Sequence, residues 1–234
     1  MKMTILKYGN LMGSPDLKAK MSALGDDDKA IDKLWDDCFE IKMALGLDGR
    51  STSALLTDES RPDIFPAVVD LSYVCADPST YMTADYAAIA AIAAAGIDAE
   101  DVKSFLITHP HGDHLDPRVL HLLPNARLLA HPDSKISGAS ALPEGIPGLI
   151  ALNTPGHGTP HCSFIADLDD MDASVLIAGD LIMSHAHYLS LDEPIAFSDP
   201  AAGRRSVAAA LDALNARPTT YRLILPGHDI PFFI

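Results

Sequence analysis

The sequence predicts an α/β domain in which helices and strands pack around one continuous core. Short runs of β-type residues recur along the 234 residues, and helical patterns lie between some of them. Hydrophobic residues make up 48% of the chain, which is enough for a substantial buried core. We find no internal repeat and no low-complexity tail, and we expect residues 1–234 to form a single domain.

Nine segments have the length and composition of β-strands, being short and rich in apolar or β-branched residues. Several end next to glycine, proline or polar residues, which are typical of turns. The predicted strands are Thr4–Tyr8, Ser53–Thr57, Ala67–Leu71, Ser104–Thr108, Arg127–Ala130, Leu149–Leu152, His161–Ala166, Ser174–Ala178 and Tyr221–Leu225.

Three helices are predicted between the strands that follow Ala67. An alanine-rich helix over Thr83–Ala95 ends before Gly96, a residue that readily adopts the left-handed conformation needed after a helix. Asp116 is a good N-cap and is followed by Pro117, so we expect a short helix through Leu123. A longer helix is predicted from about Pro200 to Ala216.

An amphipathic helix is predicted over Asp26–Leu45, within an inserted segment at about residues 11–47. Its apolar residues recur three and four positions apart, which places them on one helical face. Two interpretations remain open: a helix packed on the parent core, or a lid or dimer-forming element. The apolar face consists of Ile31, Leu34, Trp35, Cys38, Ile41 and Leu45.

Charge and cysteine content limit the possible partners. The chain has 17 Lys+Arg against 32 Asp+Glu, a net charge of −15, which argues against nucleic-acid binding. No apolar stretch is long enough to span a membrane, and the N-terminus lacks the pattern of a signal peptide. Cys38, Cys75 and Cys162 form no paired motif, so we expect reduced thiols in a soluble cytoplasmic protein.

The most informative stretch runs from Ser104 to His114. A strand-like run ends at Thr108, and His109 and His111 follow two residues apart, so in extended backbone both rings point the same way. Gly112 permits a tight turn that brings Asp113 and His114 round to a neighbouring point. So dense a set of imidazole and carboxylate groups predicts a metal site.

Three further candidate ligands each follow a glycine in a turn beyond a strand-like run: His157, Asp180 and His228. Rigid strand ends are suitable places for metal ligands. Imidazole and carboxylate ligands suit zinc, and also iron, manganese or cobalt.

Together these residues resemble the metallo-β-lactamase superfamily, whose members carry an HxHxDH motif followed by His, Asp and His in that order. The resemblance covers roughly Ala67 to the end of the sequence. It implies a four-layer αββα sandwich with two divalent metal ions, for which we expect zinc, at one edge of the facing sheets. One ion would be bound by His109, His111 and His157, the other by Asp113, His114 and His228, with Asp180 bridging them.

The resemblance also implies a hydrolytic mechanism in which a hydroxide shared by the two ions attacks an electrophilic carbonyl or phosphorus. Asp113 and Asp180 would orient this hydroxide as well as bind metal. The sequence departs from the family where an Asp-Thr-Gly turn is usual and Asp70-Leu71-Ser72 stands instead. Asp70 is either a hydrogen-bond partner of a ligand histidine or an ordinary turn residue.

Other residues are candidates for contact with a substrate. They are His131, His185, His187, Tyr188 and, in the inserted segment, Trp35. For His131, His185, His187 and Tyr188 a surface or supporting role is the alternative. We interpret His121 and His161 as structural histidines and Cys162 as a buried strand residue.

The substrate is predicted by comparing branches of the superfamily. True β-lactamases generally lack the bridging carboxylate that Asp180 would supply. Glyoxalase II thioesterases carry a helical C-terminal extension, whereas only six residues follow His228 here, so we expect none. Flavodiiron proteins have Glu where His111 stands and add a flavodoxin domain. The superfamily's processing ribonucleases need a basic surface.

The lactonase branch, including N-acyl homoserine lactonases, fits best, because its members also carry an early inserted segment that caps the site and helps form a dimer. We therefore predict hydrolysis of a lactone or similar small ester, and consider promiscuous phosphotriesterase activity and a homodimer as further expectations. The alternatives are a glyoxalase II-type thioesterase, a persulfide dioxygenase with a single iron, a β-lactamase, and a non-catalytic metal protein.

Overall fold

The structure, a computed structural model, describes residues 1–9, 51–71, 89–190 and 197–234. The predicted inserted segment at residues 11–47, including Trp35, lies outside these residues, as does most of the predicted helix Thr83–Ala95. Within the described ranges no helix combines the length and apolar character needed to cross a membrane.

The first sheet has six strands in the order β1-β2-β3-β4-β5-β6. The first three pair antiparallel, and β3 to β6 pair parallel. Its parallel strands end at the same edge of the sheet, so the loops that follow them lie close together. The strands are β1 (Lys2–Lys7), β2 (Ser53–Thr57), β3 (Ala67–Val69), β4 (Ser104–Leu106), β5 (Arg127–Ala130) and β6 (Ser140–Ala141).

The second sheet has five strands in the order β11-β10-β9-β8-β7. The central pair β9 and β10 is parallel, and the other pairs are antiparallel. The strands are β7 (Leu149–Asn153), β8 (Cys162–Leu168), β9 (Ala173–Gly179), β10 (Tyr221–Pro226) and β11 (Phe232–Phe233).

The described residues include three α-helices: α1 (Pro117–Leu120), α2 (His185–Ser190) and α3 (Pro200–Asn215). The Asp116 side chain accepts from the backbone N–H of Arg118 and so caps α1, and Asp199 caps α3 by accepting from Ala202. Residues 89–94 are also helical, and short 3-10 helices lie at Ala99–Asp101 and Pro132–Ser134.

Residues of the second sheet alternate between two buried clusters. Along β8, Phe164 belongs to a cluster shared with the first sheet, whereas Ile165 belongs to a cluster formed with α3. This alternation follows from the strand period of two residues. Val207 and Leu214 supply the α3 side of the smaller cluster. On the first sheet, Ile92 in the helical residues 89–94 is fully buried in the larger cluster. The predicted α/β architecture of layered helices and two sheets is confirmed.

All nine predicted strands are present, and none of their ends shifts by more than two residues. The helix predicted from Asp116 to Leu123 is shorter, since α1 ends at Leu120 and the chain turns toward Pro124 and β5. Two strands, β6 and β11, were not predicted, because two residues carry no readable alternation. The helix α2 was not predicted either.

Candidate metal centre

The loop after β4 turns sharply just beyond His109. The backbone N–H groups of His114 and Leu115 both donate to the carbonyl of His111, at 3.0 and 2.9 Å, which closes a turn around Gly112. His109 and His114 are fully buried by this turn, whereas His111 and Asp113 are partly exposed. The turn predicted from the sequence therefore brings the four side chains to one place.

Glycine precedes Asp180 and His228 because the backbone is crowded at both positions. A Cβ atom at Gly227 would lie 2.3 Å from Oδ1 of Asp180, and one at Gly179 would lie 2.7 Å from the side chain of Thr108. Gly179 also has a positive φ of 55°, which glycine adopts without strain. These glycines allow the ends of β9 and β10 to approach the β4 loop closely.

A first cluster consists of three histidines and one carboxylate, all offering a ligand atom within 4.8 Å of one another: His109, His111, His157 and Asp180. Nδ1 of His111 lies 3.0 Å from Nε2 of His109 and 3.1 Å from Nε2 of His157. Oδ2 of Asp180 lies 3.1 Å from Nε2 of His157 and 3.6 Å from Nε2 of His109.

A second cluster contains Asp113, His114 and His228, with ligand atoms within the same 4.8 Å limit. Nε2 of His228 lies 3.3 Å from Oδ2 of Asp113 and 3.5 Å from Nε2 of His114. The two clusters hold the same residues that the resemblance assigned to two separate ions. The assignment of each residue as a metal ligand stays a prediction.

The carboxylate of Asp180 faces both clusters, one oxygen to each. Oδ2 faces His109 and His157, while Oδ1 lies 3.2 Å from Nε2 of both His114 and His228. The side chain is 4% exposed. A buried carboxylate with its two oxygens divided in this way can hold two cations next to each other.

Hydrogen bonds behind the histidines determine which ring nitrogen carries a proton. Asp70 accepts from the backbone N–H of Thr108 at 2.9 Å and from its hydroxyl at 2.7 Å. Because that hydroxyl proton points to Asp70, the Thr108 oxygen accepts from Nδ1 of His109, 3.1 Å away. Asp70 Oδ2 also lies 2.9 Å from Nδ1 of His114. When these rings are neutral, as a metal-bound imidazole must be, the proton is thus on Nδ1 and the Nε2 lone pair faces the site.

The donor set fits a divalent cation. Oδ1 of Asp180 is buried and has no hydrogen bond among the described residues, although two Nε2 atoms lie 3.2 Å away. A divalent ion that displaces the ring proton of His114 would meet converging nitrogen and oxygen lone pairs, which are the ligands that it requires. Imidazole and carboxylate groups in this number match zinc and the neighbouring transition metals.

The charges in the two clusters also favour a positive charge at His114, which lies between the carboxylates of Asp70 and Asp180. Burial lowers the pKa of His109 well below its usual value, with a further contribution from His114. Burial opposes the charged form of His114 too, but Asp180 and Asp70 outweigh it and raise the pKa to about 10. His114 and His228 in turn keep the pKa of Asp180 well below its usual value despite its burial.

The predicted substrate-contact residues fall into three groups. His185 is exposed and stacks on Phe232 with ring centroids 4.4 Å apart, and Tyr188 lies beside the same ring at 5.3 Å. His131 is partly exposed and its Nδ1 accepts from the N–H of Asp133 at the end of β5. His187 is 2% exposed and packs on Phe197, which agrees with the alternative of a supporting role, and its contact with substrate stays a prediction.

Three buried residues lie next to the ligand clusters in the sequence or in space: Thr108, His161 and Cys162. Thr108 was not singled out in the sequence, although it directly precedes the first ligand. His161 is buried, as a structural histidine should be, and its Nδ1 lies 2.8 Å from the hydroxyl of Thr154. Cys162 is a buried strand residue, as predicted, and donates to the carbonyl of Ile107. His121 is exposed and forms the C-cap of α1.

Comparisons with known proteins agree with this fold. No protein-family model matches the chain. It is 29% identical over 158 residues to metallo-β-lactamase domain-containing protein 1 from Mus musculus, a match covering 62% of this chain. The match spans only about 55% of that relative's length.

Two solved structures are similar over most of their length. A Thermotoga maritima protein assigned to the metallo-β-lactamases superposes with a TM-score of 0.61 at 18% identity, covering 100% of this chain and 99% of the other. An N-acyl homoserine lactone hydrolase with N-hexanoyl-L-homoserine at its catalytic metal centre has a TM-score of 0.56 at 18% identity. That alignment covers 76% of this chain and 81% of the hydrolase.

The two sheets and these likenesses together define the class of fold: the chain has the metallo-β-lactamase fold and is similar in sequence to a metallo-β-lactamase domain protein. Its described residues include clusters of histidine and aspartate side chains that can bind divalent metal.

Proposed function

We propose that the protein is a metal-dependent hydrolase that binds two divalent ions, for which zinc is the best candidate, and cleaves a small ester, specifically a lactone. The observation that carries the proposal is the buried Asp180 carboxylate, with one oxygen facing each ligand cluster. Two bound ions would acidify a water molecule and polarise the ester carbonyl.

Among the described residues, one side of the site is less buried than the other. His109, His114, Asp180 and His228 are buried, whereas His111, Asp113 and His157 are partly exposed. A substrate therefore approaches from the side of His111 and His157. Asp113 is the more exposed of the two carboxylates, at 26% of its side chain, and can reach the water that attacks.

In this proposal Asp180 orients the attacking water and Asp113 transfers its proton. Asp180, fixed between four imidazoles, orients the attacking water by accepting a hydrogen bond from it. Asp113 lies nearer to solvent and can take up the proton that the water loses, then pass it to the leaving alkoxide. No serine or cysteine nucleophile is required in this scheme.

A lactone is the proposed substrate for two reasons. The chain shares its fold with a lactone hydrolase whose product lies at the catalytic metal centre. A lactone also keeps its leaving alkoxide attached to the acyl group, so both stay within reach of one compact site. The proposal rests on this likeness and on the metal geometry.

The test is a substrate panel assayed with metal-free and metal-reloaded protein. Lactones of several acyl lengths, a glutathione thioester, a phosphotriester and a β-lactam are compared at equal concentration. We expect lactone hydrolysis that disappears on chelation and returns with two equivalents of zinc. Lactone hydrolysis unchanged in protein verified to be metal-free contradicts the proposal. One tightly bound iron with oxygen uptake on a persulfide supports the dioxygenase instead.

A further inference from the structure

The loop after β10, which carries His228, is held from two sides. On one side the N–H groups of Gly227 and His228 donate to the carbonyls of Ile182 and Met183, at 3.0 and 2.8 Å. Both carbonyls belong to the segment just after Asp180. This side therefore ties His228 to the second sheet, from which the loop itself comes.

On the other side the loop is held by Thr52, the residue directly before β2 of the first sheet. Its N–H donates to the carbonyl of Gly227 at 2.6 Å, and its hydroxyl donates to the carbonyl of Asp229 at 3.1 Å. The same hydroxyl accepts from the N–H of Gly9 at 3.0 Å. Thr52 therefore contacts the backbone immediately before and immediately after His228.

The side chain of Thr52 is well suited to this task. The residue is 6% exposed, so its hydrogen bonds do not compete with bulk water. Its hydroxyl uses its single proton on Asp229 and accepts from Gly9, so both the donor and an acceptor position are occupied. By contrast, the buried hydroxyls of Ser51 and Ser53 have no hydrogen-bond partner in the part of the chain that is described.

We propose that Thr52 is a positioning residue for the second metal ion, acting through the backbone of the His228 loop. Fixing that loop on both sides holds Nε2 of His228 at 3.3 Å from Asp113 and 3.2 Å from Asp180. The first cluster receives no ligand from this loop. Loss of the hydroxyl is therefore expected to weaken the second site selectively. This inference rests on the proposed two-ion function.

Three variants test the inference. Thr52→Val removes the hydroxyl at nearly constant shape, Thr52→Ser keeps it, and Ser53→Ala removes a neighbouring buried hydroxyl that has no partner in the described structure. Each protein is first compared by circular dichroism and thermal unfolding. Zinc binding is then titrated against a competing chelator. We expect Thr52→Val to bind its first ion within about twofold of the wild type and its second ion about 10–100-fold more weakly. Thr52→Ser and Ser53→Ala should match the wild type.

Amide hydrogen exchange in metal-free protein gives a second readout that does not depend on metal. The amides of Gly227 and His228 should exchange faster in Thr52→Val and at the wild-type rate in Ser53→Ala. If Thr52→Val does not fold, Thr52→Ala replaces it in both measurements.

The outcomes separate the inference from the proposed function. Wild-type affinity for both ions together with unchanged exchange in Thr52→Val overturns the role of Thr52. Equal weakening of both ions also overturns it, because it indicates general destabilisation. A wild-type protein that binds only one ion contradicts the proposed function, and the exchange rates then decide the role of Thr52.

Discussion

Oδ2 of Asp70 lies 2.9 Å from Nδ1 of His114, on the side of the ring that faces away from the second ligand cluster. Asp70 is 2% exposed and has a positive φ of 43°, and it also accepts two hydrogen bonds from Thr108. The carboxylate thus directs the Nε2 lone pair of His114 into the site. Of the two sequence interpretations of Asp70, the geometry favours the supporting partner over the ordinary turn residue.

Replacing Asp70 by Asn should weaken the second metal ion about 10–100-fold, because an amide is a poorer acceptor for the His114 ring than a carboxylate. Asparagine tolerates the left-handed backbone, so the turn itself should persist. Chelator competition with zinc measures the affinity. Exposed Asp63→Asn serves as the control, and equal affinities in both variants would contradict this role for Asp70.

Replacing Asp180 by Asn should weaken both ions at least about tenfold, because each cluster then loses a negatively charged oxygen. Hydrolytic activity at limiting zinc should fall in parallel. The matched control is Asp199→Asn, which changes the same side chain at the N-cap of α3, where asparagine caps as well as aspartate. A variant that loses only one ion would show that Asp180 does not serve both clusters.

The stability of the metal-free protein should depend on pH through His114. The pKa of this residue is raised from 6.5 to about 10, so its stabilising charge is fully present below pH 6.5 and is lost as the pH rises toward 10. Urea unfolding in the presence of a chelator should show a free energy of unfolding that declines over this range. The decline should be smaller in His114→Gln, and an identical decline in both proteins would rule out this origin.

Gly203→Ala should destabilise the protein by about 1–3 kcal/mol through overpacking. A Cβ atom there would lie 2.4 Å from the ring of Phe197, and Gly156 in the His157 loop approaches the same helix backbone. Thermal unfolding measures the loss, with exposed Arg204→Ala on the same helix as the control. An unchanged melting temperature would show that α3 can shift without cost.

Cys162 should resist alkylation in the folded protein. Burial raises the pKa of its thiol to about 12, so the reactive thiolate is absent even at pH 9. Iodoacetamide labelling followed by peptide mapping should find this residue unmodified in buffer and modified in denaturant. Rapid labelling of the native protein at Cys162 would contradict the buried position.

The fold was largely predictable because the amino-acid composition of short segments identifies most of its strands. β2 and β5 match their predicted bounds, since each lies between clear turn residues. The strands that were missed, β6 and β11, are defined by their partners and not by their own two residues. The order of the strands within each sheet depends on long-range pairing, which no local pattern reveals.

The candidate site was predictable for a different reason. Each proposed ligand belongs to one of a few residue types and stands at a strand end beside glycine or in the HxHxDH run. Residues that hold the ligands in place cannot be recognised by their type or by their position in a motif. Thr108 acts through a hydroxyl shared with Asp70, and Thr52 acts through the carbonyls of distant residues. Side chains that bind backbone from another sheet cannot be recognised without the tertiary structure.

The two ligand clusters can both be complete only after the two sheets have formed. Their members extend from His109, after a strand of the first sheet, to His228, after a strand of the second. A nascent chain that has not yet added β10 lacks His228 and cannot complete the second cluster, however well its earlier strands are paired. Metal loading of the second cluster should therefore occur late in folding, and a chain that has completed this cluster has already brought its two sheets together.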